Sequence, residues 1–262
     1  MKAKITGNPI VQLVDVHKSY GPHHILKGVN LDIMEGKTTV IVGGSGQGKS
    51  QVLKHVLGLT QPDRGKVLVN GQDINRIKKK DLKKIRTEFG VLFQNSALFD
   101  SMNVFDNVAL PLRERTSHSE KEIRELVEEK LAMMDVSGSN DKFPAQISGG
   151  MKKRVGLARA LVLNPKIVFF DEPTTGLDVK KSNEIYRVFY KTQTQLGYTA
   201  VIVSHDVPKI FKLADYVALL NNGIVQDCLT PEEFQLSNDP IIKQYVETAM
   251  GPLYSSEMED EL

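Results

Sequence analysis

The residues Gly43-Gly44-Ser45-Gly46-Gln47-Gly48-Lys49-Ser50 fit the spacing G-x-x-x-x-G-K-[ST], the pattern of a loop that cradles a chain of phosphates. Glycine amides with no side chain in the way can turn toward an anion, and the positive end of a following helix adds to their pull. Lys49 would neutralise the β- and γ-phosphates, and the Ser50 hydroxyl would hold a magnesium ion. A second group of suitable type lies far downstream, where Ile167-Val168-Phe169-Phe170 ends in the adjacent carboxylates Asp171 and Glu172. Asp171 can hold magnesium through its water shell, and Glu172 can polarise an attacking water as a general base. A third is the turn Ser148-Gly149-Gly150, which offers a hydroxyl, bare amides and a helix start, all suited to another anion. A nucleotide already seated on the phosphate loop needs no second cradle. The simplest arrangement has Ser148 and its neighbours capping the γ-phosphate of a nucleotide held by another copy of the chain, so that ATP joins a dimer and loss of the γ-phosphate releases it.

These groups need particular elements to carry them. Thr38-Thr39-Val40-Ile41-Val42 reads as a buried strand entering the phosphate loop, and the residues from Ser50 to Leu57 leave it with helical spacing. Ile10–Val16 and Val29–Ile33 alternate apolar and polar residues, as half-buried strands do. Asn70-Gly71 between short apolar runs predicts a hairpin turn. Further strands are expected at Ile167–Phe170, Ala200–Val203 and Tyr216–Leu220. Short apolar strands alternating with helices predict an α/β fold, a mainly parallel sheet covered on both faces. The region from about 95 to 162 reads as an inserted helical subdomain. Ser117-His118-Ser119-Glu120 resembles a capping box, and Ile123, Leu126, Val127, Leu131 and Met134 share one helical face. Met151, Val155, Ala158, Leu161 and Val162 share the face of a second helix, which stops at Asn164-Pro165.

Composition narrows the setting. The 262 residues are 40% hydrophobic and 25% charged, ordinary for a globular protein. The net charge of +2 is too near balance to argue for nucleic acid or an anionic membrane face. The basic run Arg76–Arg86 could suit nucleic acid or lipid headgroups, but reads better as a solvated helix with Ile77, Leu82 and Ile85 turned inward. The single cysteine, Cys228, excludes an intramolecular disulfide and fits a reducing cytoplasm. No run approaches the ~18 apolar residues of a membrane span, and the N-terminus lacks the apolar centre of a signal peptide. Work at a membrane would need another subunit as anchor.

With these motifs in place, the region from Val11 to Phe234 resembles the ATP-binding subunits of ABC transporters. The resemblance implies a P-loop NTPase (RecA-like) core with an N-terminal antiparallel β-subdomain, the whole spanning residues 10–240. It also implies roles for single residues. Tyr20 matches the aromatic that stacks on adenine, and Gln94 the glutamine that senses magnesium and the membrane partner. Ile147-Ser148-Gly149-Gly150-Met151 resembles the LSGGQ signature. Gly176-Leu177-Asp178 matches the loop facing the other subunit, and His205 the switch histidine near the γ-phosphate. Met151 departs from the family's usual glutamine. Because Ser148 and the glycine backbone would make the phosphate contact, activity is expected to survive it.

Methionine at that position, with the run from Gln94 through Ala97-Leu98-Phe99 and Met102 to Asn107-Val108, is similar to the Mla-type and related MCE-system ATPases of double-membrane bacteria. That likeness implies phospholipid transport at the cytoplasmic face of the inner membrane. It implies a pair of permease subunits, an MCE-type lipid-binding subunit and an accessory subunit as partners, and no nucleic acid. Leu98, Phe99, Met102 and Val104 either line the groove that receives a permease helix or pack the helical subdomain. An ABC importer ATPase for another solute is the nearest alternative, and a soluble ABC-type ATPase acting on nucleic acid or ribosomes a more distant one. Residues 241–262 form a C-terminal extension. Ile242, Tyr245, Val246 and Met250 have helical spacing and dock either on a neighbouring subunit or on their own domain, ahead of an acidic tail from Ser255 to Leu262.

Overall fold

Two long strands, β1 (Pro9–Tyr20) and β2 (His23–Met34), pair antiparallel at the start of the chain. Each runs further than its alternating segment predicts, because pairing with the other carries both past their apolar stretches. The ladder slips around Asp15, which takes a left-handed φ of 50°, and the resulting bulge adds twist. The chain then enters β3 (Thr38–Val42) and α1 (Lys49–Val56) and returns as β4 (Arg64–Val69) beside β1. Asn70 (φ 49°) and Gly71 (φ 74°) make the expected tight turn into β5 (Gln72–Asp73), completing an antiparallel sheet ordered β2-β1-β4-β5. The computed structural model describes residues 7–207 and 209–250.

The basic run forms α2 (Lys79–Arg86), whose lysines face solvent while Ile77, Leu82 and Ile85 pack inward, as the sequence predicts. After β6 (Phe89–Leu92) come three helices, α3 (Val104–Arg115), α4 (Glu120–Met133) and α5 (Gly149–Leu161). The capping box lies two residues later than the one expected from Ser117: Ser119 accepts from the Glu122 amide, and Glu122 reaches back to the Ser119 amide. Ser117 and Ser119 both precede acidic residues at suitable spacing for a cap, and the buried face of α4 selects the second.

The chain continues through β7 (Ile167–Asp171), α6 (Val179–Leu196), β8 (Thr199–Val203), β9 (Tyr216–Asn221) and β10 (Ile224–Leu229). These strands join β3 and β6 in a sheet ordered β10-β9-β3-β8-β7-β6, parallel except for the edge strand β10. Every residue of β3 and β8 is buried, which explains why neither alternates apolar with exposed polar residues. Alternate side chains serve opposite cores. Ile41, Phe169, Val201 and Val203 face α1 and the antiparallel sheet, whereas Val40, Val42, Val168, Phe170 and Ile202 face the helices α3 to α6.

The C-terminal helices are α7 (Pro231–Gln235) and α8 (Pro240–Met250). Ile242 and Val246 are buried in the chain's own core, and Phe234 stacks edge-on with both Phe211 and Tyr245. Helix α8 packs on its own domain through Ile242 and Val246. The acidic tail lies outside the described residues.

Candidate nucleotide site

The phosphate loop joins β3 to α1, and its backbone explains its glycines. Gly43, Gly46 and Gly48 have φ of 151°, 76° and 99°. A Cβ on Gly43 would lie 2.2 Å from the carbonyl oxygen of Leu220 on β9, so no side chain fits there. Gly48 caps α1 without a side-chain acceptor, and no acidic residue occupies the first turn, leaving the helix's positive end open to an anion. Gly44, Ser45 and Gly46 are exposed at the tip, and Gln47 accepts from the Asn222 amide at 2.6 Å. Lys49, 6% exposed, donates to the carbonyls of Gly43 and Gly44, both at 2.9 Å. Burial pulls its pKa below the usual lysine value, and the carboxylates of Glu172 and Asp171 oppose that pull.

The sheet order brings the carboxylates to this loop. β7 is two strands from β3, with β8 between, and Asp171 closes β7. The Ser50 hydroxyl donates to Asp171 Oδ1 at 3.0 Å. This pair of hard oxygen donors suits magnesium, which takes few protein ligands and keeps water and phosphate oxygens for the rest. Glu172 follows with a left-handed φ of 47°, its amide bonded to the Val203 carbonyl at 2.9 Å. Glu172 Oε2 accepts from the Thr175 hydroxyl at 2.9 Å and lies 2.9 Å from His205 Nδ1, the His205 side chain being 61% exposed. Tyr20, at the end of β1 and half-exposed, donates to Gln51 Oε1 at 3.3 Å, beside Ser50 at the start of α1.

A second cluster stands apart. Ser148 is the N-cap of α5, exposed, with its hydroxyl accepting from the Met151 amide at 3.3 Å. Leu177 borders Gly149, so the Ser148 turn and the Gly176–Asp178 loop share one surface. Asp178 caps α6 by accepting from the Lys181 amide, and the ion pair with Lys181 Nζ at 2.7 Å holds its carboxyl below the usual range. Among the described residues no hydrogen bond or ion pair joins Ser148, Gly149, Gly150 or Asp178 to Lys49, Ser50, Asp171, Glu172 or His205. Met151 turns its side chain against the core. Gln94 lies past β6, exposed, on the far side of β7 from β8, and shares no hydrogen bond with Ser50 or Asp171.

Of the residues expected at the permease groove, Phe99 is 50% exposed and Leu98 and Met102 are half-buried. Val104 is fully buried in the helical core and lines no groove. Its place at the first turn of α3, behind the Asn103 cap, turns it inward.

Sequence reasoning misses Thr175, which orients Glu172. It names Asn107 only within a family-like run and misses its role, a buried side-chain amide that bonds both backbone groups of Phe99 and the carbonyls of Met102 and Asn103. Lys153 and Arg159, which donate to the backbone of the loop after Gln94, are missed as well. The available signal for that pair is two cations bracketing Gly156 at three-residue spacing on a helix.

A glycine loop between a buried strand and a helix, with a carboxylate-ended strand two places away, defines a phosphate-loop nucleoside triphosphatase of the α/β class. The chain belongs to the ABC transporter family, whose profile matches residues 26–175. It is 42% identical over 254 residues to the probable ribonucleotide transport ATP-binding protein Mkl of Mycobacterium leprae, covering 96% of this chain and 73% of that one. It is 36% identical over 237 residues to the intermembrane phospholipid transport system ATP-binding protein MlaF of Haemophilus influenzae, covering 90% of each chain. Among solved structures, the ATP-binding cassette MJ0796, a dimer in a post-hydrolysis state bound to ADP and Pi, superposes with a TM-score of 0.77. The two are 34% identical, over 84% of this chain and 98% of that one. The chain is thus the ATP-hydrolysing subunit of an ABC transporter.

Proposed function

We propose that this subunit powers phospholipid movement through an Mla-type permease at the cytoplasmic face of the inner membrane of a double-membrane bacterium. The observation that carries the reading is the likeness to the phospholipid transport protein MlaF, which extends over 90% of both chains. Met151 and the Ala97-Leu98-Phe99 run, with Phe99 half-exposed beside the Gln94 loop, support it. Among the described residues no helix is long and apolar enough to cross a membrane, so a permease pair would hold the subunit there. An MCE-type lipid-binding subunit and an accessory subunit would complete the assembly. Transport of another solute is favoured by one observation, the higher identity of 42% to the ribonucleotide transport protein.

In this reading two copies close on two nucleotides. Tyr20 stacks on the base. The amides from Gly43 to Gly48 and the start of α1 hold the phosphates, and Lys49 leaves its two carbonyls to neutralise them. Ser50 and Asp171 would hold a magnesium ion, with Gln94 as a further residue facing it, and the ion would supply charge neutralisation at the phosphates. Glu172, oriented by Thr175 and His205, takes the proton of the water that attacks the γ-phosphorus, and ADP departs. Ser148, Gly149 and Gly150 of the second copy cap the γ-phosphate, and its Asp178 loop lies along the closing surface. Loss of that phosphate opens the pair and moves the permease.

The test is reconstitution of the subunit with its co-purified membrane proteins in liposomes. ATP-dependent transfer of radiolabelled phospholipid to acceptor vesicles is the expected result. ATP-dependent ribonucleotide accumulation without lipid transfer would overturn the cargo assignment.

A further inference from the structure

Helix α5 opens at Ser148 and presents Lys153, Gly156 and Arg159 to the loop that follows Gln94. The Lys153 ammonium, 5% exposed, donates to the Gln94 carbonyl. Arg159 donates to the Ser96 carbonyl at 2.7 Å and the Ala97 carbonyl at 2.8 Å. Between them the helix comes so near that a methyl group on Gly156 would lie 2.8 Å from Leu92 Cδ1 and 3.2 Å from Ser96 Cβ. Ser96 and Ala97 hold left-handed φ of 60° and 45°, a conformation that non-glycine residues keep only when their surroundings enforce it.

Neither cation forms an ion pair with a carboxylate among the described residues, and burial alone pulls both pKa values down. Burying a cation against neutral carbonyls is a poor way to stabilise a helix, since an apolar side chain would avoid the desolvation. What the arrangement does secure is the path of a loop with Gln94 at one end and Phe99 at the other. Asn107 of α3 fixes the far end by its bonds to Phe99.

We propose that Lys153 and Arg159 are positioning residues that set the reach of Gln94 toward its own chain's nucleotide by tying the Gln94–Ala97 loop to the helix headed by Ser148. The inference rests on the two-chain reading of the nucleotide site. It adds that the loop facing the metal of one site and the turn capping the other site's nucleotide are mounted on one rigid piece.

Hydrogen exchange on the isolated chain tests the tie itself. In Lys153→Ala the amides of residues 94–99 should exchange roughly tenfold faster or more, the worth of one hydrogen bond to a charged group. Unchanged exchange overturns the proposal. In the assembled transporter, Lys153→Ala should lower kcat on the order of tenfold to a hundredfold, as misplacement of a supporting group does. KM for ATP should stay within about twofold, and half-maximal activity should need more magnesium. Lys153→Gln, which can still donate to the Gln94 carbonyl, should recover most of the loss. A wild-type magnesium curve in Lys153→Ala, or no recovery in Lys153→Gln despite restored exchange protection, refutes the role. Should Lys153→Ala not fold, Arg159→Lys, which keeps one of two bonds, reads the same three quantities. If Glu172→Gln with ATP stays a monomer, the two-chain reading fails while the exchange result still stands.

Discussion

Two helices of this chain, α1 and α5, each point a positive end at a position suited to phosphate, yet they are prepared to different degrees. The start of α1 has a glycine cap with no side-chain acceptor, a buried lysine within the loop, and a wall of main chain behind it. The start of α5 is exposed, and its capping hydroxyl is already engaged with the Met151 amide. One end is preformed within a single chain; the other is an open surface that, in the proposed reading, needs a phosphate delivered to it. The first can supply affinity in a single chain. In the proposed two-chain reading the second acts only when another copy brings the nucleotide, and would then govern timing rather than binding.

The strongest way to break this comparison is Glu172→Gln. Turnover should fall on the order of 100-fold to 10,000-fold, the usual worth of a general base, while ATP accumulates a dimer seen by light scattering. Normal hydrolysis would remove Glu172 from the role. Lys49→Ala should weaken ATP binding by the isolated chain roughly tenfold to a hundredfold, since a charge-assisted contact to phosphate is lost; full affinity in a nucleotide titration would mean that α1 is not the seat of binding. Ser148→Asp separates the two helices most directly. It keeps a good helix cap, so thermal stability should hold, but sets a carboxylate against the partner's γ-phosphate. ATP binding by one chain should stay within about twofold while turnover drops about tenfold or more, and a dimer that still closes would sink the capping role.

A smaller effect concerns the far end of α1. His55 is fully buried, with Nδ1 2.8 Å from the Thr60 carbonyl, and burial holds its pKa below the ordinary 6.5. The unfolded chain therefore takes up a proton before the folded one. The contribution of neutral His55 is complete above that value and is lost as pH falls through it toward the folded pKa. Melting followed at about pH 7.5 and about pH 5.5 should show a lower Tm in acid, and His55→Gln should narrow the gap; an equal gap would clear His55. The smallest effect is expected of Met151→Gln, because the methionine side chain packs on the core while its amide serves Ser148. ATPase activity should change by less than about threefold, within the range of a tolerated shape change.

Much of this site is legible in the sequence, because local backbone demands are written in residue type. Gly43, Gly46 and Gly48 are glycines where φ requires them, and Asp171 and Glu172 close an apolar strand where a parallel sheet exposes its ends. The hairpin at Asn70-Gly71 is legible for the same reason. The position of the α4 cap is less so: Ser117 and Ser119 compete, and tertiary burial of Ile123 and Val127 decides. Val104 misleads because an apolar residue beside a surface loop looks the same whether it faces out or in. Lys153 and Arg159 are illegible for a different reason. Their partners are backbone carbonyls some sixty residues away, at separations of 59 and 62–63, and a carbonyl leaves no mark on residue type.

The contact between Gly43 and Leu220 has a consequence for how this protein can vary over generations. The wall behind the phosphate loop is a main-chain carbonyl, 2.2 Å from where a Gly43 side chain would begin. Every residue type at position 220 presents that same carbonyl. Mutations on β9 can therefore drift within the limits of packing without disturbing the seat of the loop, whereas at Gly43 no side chain can be accommodated. Heritable tolerance and intolerance meet across a single contact, with all the constraint falling on one of its two partners.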